Sequence, residues 1–148
     1  MRSIEELNSV AVEYDALFPS EVREALVRLN EIDKSIMTGA ISEKFFPETE
    51  LNKMLMEITA LHSFFCNKFY KWDAILDNQH ADIFMDIKDR AEDPKKFTVA
   101  AANKEADRDT REVRYLAKVY EGSVKRCEEY INTLKKLLGK EEREFKRS

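Results

Sequence analysis

Apolar residues recur along this chain in seven-residue series that a short charged segment interrupts. In the first stretch Leu51, Ile58, Phe65 and Trp72 form one series, and Leu55, His62, Phe69, Leu76 and Ile83 form a second beside it. That period, unbroken by glycine or proline until Pro94, predicts a helix packed along its length against another, as in a coiled coil. Pro47, Glu48 and Glu50 suit its first turn, and Pro94 suits its end. The second stretch repeats the pattern with Val113, Tyr120, Cys127 and Leu134, and with Ala117, Val124, Ile131, Leu138 and Phe145. Asp109 with Glu112 supplies a capping box at its start, while Gly122 and Gly139 predict fraying towards its end. At ~1.5 Å per residue, an arm of about 40 residues measures roughly 60 Å. Two such arms joined by a short segment predict an antiparallel helical hairpin.

Two shorter helices are expected ahead of the arms. Ser3 and Glu6 form a capping box before Ile4, Leu7, Val10, Ala11 and Tyr14, which predicts a helix up to about Leu17. Ser20 then caps a second helix that carries Val22, Ala25, Leu26, Leu29, Ile32 and Ile36 and ends at Gly39. The expected organisation is therefore all-α: a helical pair over residues 1–46 and a long hairpin over 47–148. The tip of the hairpin falls at 94–110, where Thr98 caps one or two helical turns. Phe64 and Tyr70 lie off the apolar stripe and are expected to face a third helix or a second copy of the chain, so self-association is expected.

Composition narrows the class further. Of 148 residues, 36% are charged and only 3 are glycine and 3 proline, too little punctuation for a many-stranded sheet. Cys66 and Cys127 are far apart and read as reduced thiols, and the opening residues carry acids where a signal peptide needs an apolar run. A soluble, cytoplasmic protein without a membrane partner is expected. Residues 1–94 hold ten basic against nineteen acidic side chains, whereas residues 95–148 hold fifteen against ten. The basic half suits either a polyanion or an acidic protein neighbour.

Candidate chemistry concentrates at the tip, "DPKKFTVAAANKEADRD". Lys95, Lys96, Lys104, Arg108, Arg111 and Arg114 can neutralise phosphates, and Phe97 can stack a base. The plainer reading is that Phe97 plugs a turn whose lysines keep it soluble. Elsewhere the options are few. Asp73, Asp77 and His80 make one acid–histidine face, where a di-metal bundle needs two. His62 sits within an apolar series, which suits a hydrogen-bonded structural role. Asp82, Asp86, Asp89, Glu92 and Asp93 lack the spacing of a calcium loop and read as a solvated face. Cys66 has no second cysteine nearby and no convincing histidine arrangement, and no phosphate loop, nucleophile elbow or zinc motif occurs. No catalytic residue, metal or cofactor is expected.

From about residue 50 to the end, the order of parts resembles phage recombination mediators of the UvsY-like family. The pieces that carry the resemblance are "FYKWDAILDNQHADIFMDIK", the basic tip, and "VRYLAKVYEGSVKRCEEYINTLKKLLGKEEREF", with Lys96, Thr98, Ala106 and Asp107 as the aligned positions. It covers about two thirds of the chain. The resemblance implies a small α-helical protein assembling into ring-shaped homo-oligomers in the host cytoplasm. It further implies binding of single-stranded DNA, displacement of a single-strand-binding protein and loading of a RecA-like recombinase. Only Lys95 and Lys96 match the family's basic turn as DNA contacts. The chain departs from the family in its net acidity and its less basic first arm. The rival expectation is a non-catalytic helical adaptor, scaffold or inhibitor that binds no nucleic acid.

Overall fold

The computed structural model describes residues 17–42, 48–93, 95 and 97–147, with side chains described at 17–38, 48–93, 95 and 97–139. The helix expected over residues 3–17, Pro47, Pro94 and Lys96 lie outside the described residues, apart from Leu17. The fold is all-α. Among the described residues there are four helices: α1 (Ser20–Ser42), α2 (Glu48–Arg90), α3 (Val99–Asp109) and α4 (Arg111–Arg147). None is long and apolar enough to cross a membrane.

Helix boundaries fall where backbone hydrogen bonding puts them, and several differ from the expected ones. The Pro19 carbonyl accepts from the N–H groups of Val22 and Arg23, at 3.0 and 3.1 Å, so Pro19 bounds α1 and Ser20 already lies inside it. α1 also runs past Gly39 to Ser42. A glycine weakens a helix by only about 1 kcal/mol, which tertiary packing can override. α2 ends at Arg90, before Pro94, with the Ala91 N–H donating to Lys88 O at 3.4 Å, a long bond that closes a tighter i to i−3 turn. The tip segment is a full helix of 11 residues rather than one or two turns. Thr98 caps it as expected, in extended conformation (φ −122°, ψ 138°), its side chain accepting from the Ala101 N–H at 3.2 Å.

The start of α4 corrects another expectation. Thr110, not Asp109, stands at the boundary. Its N–H donates to Ala106 O at 3.1 Å, and its own carbonyl accepts from the Arg114 N–H at 2.9 Å. Both bonds keep the i to i−4 helical pattern, so the chain passes from α3 to α4 with a one-residue break. The buried Thr110 hydroxyl also donates to Ala106 O at 2.8 Å. A buried hydroxyl left without a partner is costly, and this bond supplies one.

Cα proximity groups the chain into two compact units. One contains Phe18–Cys66 and the chain from Glu121 onward. Its core is built from rows of seven-residue spacing: Val22, Leu29 and Ile36 of α1; Leu51, Ile58 and Phe65 of α2; Cys127 and Leu134 of α4. Ile32 and Phe18 complete it. Charged residues rim this core: Arg28 donates to Glu57 at 2.6 Å and to Glu31 at 2.9 Å, and Arg126 donates to Asn30 at 3.0 Å. The bonds to Glu31 and then Glu57 raise the Arg28 pKa. Such exposed pairs contribute little each, and the buried rows carry the stability. Gly122 sits in α4 where an added Cβ meets nothing within 4 Å. Gly122→Ala is therefore expected to stabilise the protein by about 0.5–1 kcal/mol, read as a higher thermal midpoint.

The other unit contains Asn67–Tyr120. Here α2 supplies no fully buried residue; Phe69, Trp72, Leu76 and Ile83 are half-buried. The buried set is Ala102, Ala106 and Thr110, followed by Leu116, Ala117 and Tyr120. The small side chains of α3 leave room for close helix approach. α3 runs antiparallel to the end of α2, since His80 meets Asp107 whereas Phe84, one turn further along, meets Phe97.

Candidate nucleic-acid interface

α3 and the start of α4 position the cations of the tip. Lys104, Arg108 and Arg111 follow one another at four and three residues, one turn apart, and the near-continuous helical bonding through Thr110 keeps them on one stripe. All three are exposed. Arg108 lies 4.0 Å from Glu105 and 3.9 Å from Asp109, distances too long for a tight charge-assisted bond. Lys104 and Arg111 are held by no acid among the described residues. Gln79 of α2 joins Arg108 and Arg111 around an open cleft of about 580 Å³, with Asp109, Glu112 and Val113. Lys95 is exposed at the loop before α3, where its backbone N–H donates to Asp93 Oδ1 at 3.0 Å.

One cation expected at this surface is engaged within the fold. Arg114 donates to Asp107 Oδ1 at 2.8 Å and to the Thr110 hydroxyl at 3.3 Å, on the stripe beside the exposed cations. His80 reaches the same Asp107 oxygen at 3.0 Å, so one carboxylate ties α2, α3 and α4 together. Phe97 is half-buried and meets Phe84 edge to face, centroids 5.8 Å apart at 83°. Such a contact fixes the ring orientation.

The bond from Arg114, then that from His80, holds the Asp107 carboxyl below its ordinary range. A carboxylate with a lowered folded-state pKa contributes stability above its unfolded pKa of about 3.9, and that contribution is lost as pH falls through the folded value. Asp107→Asn is therefore expected to lower the thermal midpoint at neutral pH. It should also flatten the loss of stability below about pH 4, as melts across a pH series would record.

No family model, no curated protein and no solved structure matches the chain. Its function is therefore read from its own residues.

The remaining candidates for chemistry can be placed. Among the described residues, no group of three or more His, Cys, Asp or Glu side chains is arranged to hold a metal ion. His80 turns to Asp107, 27 positions along the chain, rather than to Asp77 on its own helix. His62 is hydrogen-bonded, its Nε2 lying 3.2 Å from Glu128 Oε1. Cys66 has a histidine beside it, with Sγ 3.6 Å from His62 Nε2 and 3.9 Å from Nδ1, a contact that the sequence reading did not anticipate. The Glu128 carboxylate accepts from the same Nε2 that lies nearer the sulfur, so the groups do not form a relay. Burial, and then the charge of Glu128, raises the Cys66 pKa, the opposite of nucleophile activation. Burial pushes the Cys127 thiol up to about 11.

Sequence reasoning missed Gln79, Asp107 as a three-helix tie and the His62–Cys66 contact. The last had a signal in its i, i+4 spacing. The Asp107 links join positions remote in sequence, and nothing local announces them.

Proposed function

We propose that the protein is a non-catalytic, self-associating accessory factor of DNA recombination. It binds single-stranded DNA and helps a RecA-like recombinase replace a single-strand-binding protein. The observation that carries this reading is the stripe of Lys104, Arg108 and Arg111, exposed together and at most loosely paired, with Lys95 in the same unit. The resemblance of residues 50–148 to UvsY-like mediators supports the same assignment, and Lys96 belongs to the matching basic turn. Self-association places several copies of the stripe along one strand, so that modest charge per copy yields useful avidity.

The test is fluorescence anisotropy of a labelled oligothymidylate titrated with the protein at increasing salt. Micromolar or tighter binding is expected. Four phosphate contacts give a log–log salt slope of about −3, from roughly 0.7 per phosphate on single strands. No binding at low salt overturns the proposal. Given binding, the mediator role requires faster recombinase ATP hydrolysis on a strand coated with single-strand-binding protein.

A second reading draws on exposed apolar residues in the other unit. Val27, Met37 and Met56 are 56%, 56% and 75% exposed, a pattern that suits a helical protein-interaction module. Failure to bind nucleic acid, with sedimentation showing a stable complex with another protein, would favour it.

A further inference from the structure

A second cleft, of about 490 Å³, opens between the end of α2 and the start of α3. Its lining includes Phe97, Ile87, Ala101, Ala102 and Glu105, together with Glu92, with Asp93, which accepts from the Lys95 N–H, and with Arg90, which pairs with Asp86. This combination is unlike the stripe of cations on the same unit. The geometry points to a pocket for a single unstacked nucleobase that donates hydrogen bonds, guanine above all; the inference rests on the single-strand-binding reading above.

Three features carry it. First, the Phe97 ring is held at 83° to Phe84, and a near-perpendicular neighbour leaves at least one ring face uncovered by that contact. A fixed ring facing a cleft is a stacking platform whose orienting cost is met within the fold. Second, the α3 wall presents the exposed Ala101, whose small side chain leaves space for a flat ring and gives it apolar contact, with Ala102 buried behind it. Third, Glu105 lies one turn further along α3, half-buried, and its cation neighbour Arg108 is 4.0 Å away. Its carboxylate therefore has acceptor capacity left for a ligand. Lys95 lies two residues before Phe97 and Lys104 one before Glu105, so both cations are close in sequence to the residues that would hold the base.

The carboxylate decides which base fits. Guanine presents N1–H and N2–H side by side and can give both to one carboxylate. Thymine presents a single N–H between two carbonyls, which the carboxylate repels. Adenine and cytosine each offer one amino group next to a ring acceptor. Acceptor groups on a protein read donors on a base edge, and a site built for them discriminates against bases lacking them.

The experiment compares an oligothymidylate with the same strand carrying deoxyguanosine at every third position, by anisotropy at one salt concentration. Roughly tenfold tighter binding of the guanine strand is expected. Substituting deoxyinosine, which lacks the N2 amino group, should remove most of that gain. Glu105→Ala should abolish the preference while leaving oligothymidylate binding equal or tighter, because a negative charge has gone; a misfolded variant loses both. Equal binding of the two strands by the unsubstituted protein overturns the guanine pocket and leaves the single-strand reading standing. No binding of either strand overturns both.

Discussion

Phe65→Ala is expected to destabilise the protein by about 3–5 kcal/mol, the range for deleting a fully buried phenylalanine. Phe65 is wholly inaccessible, at the end of the row Leu51, Ile58 and Phe65 in α2, and its ring meets Phe64 edge to face at 5.3 Å. Truncation removes apolar area from a core that also holds Leu29, Ile58, Cys127 and Leu134, and leaves a cavity that the surrounding side chains can close only in part. Because domains of this size have about 5–15 kcal/mol in total, the variant should unfold at a much lower urea concentration. Tyr70→Ala provides the contrast. Tyr70 is 68% exposed, and its loss should shift the midpoint little. Equal shifts for the two would show that the row does not form the core.

Replacing Lys104, Arg108 and Arg111 together with alanine should weaken single-stranded DNA binding on the order of a hundredfold at about 50 mM salt, and should reduce the log–log salt slope by about 2. Both numbers follow from the loss of three counterion-releasing contacts. The fold should survive, because all three side chains are exposed and none is tightly paired among the described residues. Lys34→Ala with Lys53→Ala and Lys135→Ala, at exposed positions in the other unit, is the control for net charge and should leave the slope nearly unchanged. Equal losses in the two variants would mean that binding follows overall charge and that the stripe has no special part.

Arg114 should behave differently from these three. Its guanidinium is committed to Asp107 and Thr110, so Arg114→Ala should lower stability before it lowers affinity. Adding the charges of the tip from the sequence counts Arg114 with the others. Only the geometry separates the side chain that ties helices together from those that face solvent.

Much of the fold is legible in the sequence because helical pattern is local. The rows Leu51–Ile58–Phe65 and Cys127–Leu134, the stripe of α1, and the Thr98 cap follow from spacing and from one side chain's reach to a nearby amide. Boundaries were less legible. Asp109 and Thr110 both offer a capping oxygen, and the choice depended on whether α3 continued into α4, which the buried Thr110 hydroxyl decided by bonding back to Ala106. Gly39 likewise failed to end α1 because local weakness gives way where neighbouring turns are packed.

The amino-acid sequence by itself determined that the chain is helical, which face of each long helix is apolar, and that its cations gather late in the chain. The tertiary structure alone decided how much of each apolar face is covered: fully at Phe65, half at Phe69, Leu76 and Ile83, although their series read alike. It also decided that Phe97 meets Phe84, and that His80 and Arg114 share Asp107. The physical reason is range. Helical periodicity is set by bonds between residues four apart, whereas burial and ion pairing depend on which distant side chains come within a few ångströms, and many sequences with the same period satisfy those contacts differently.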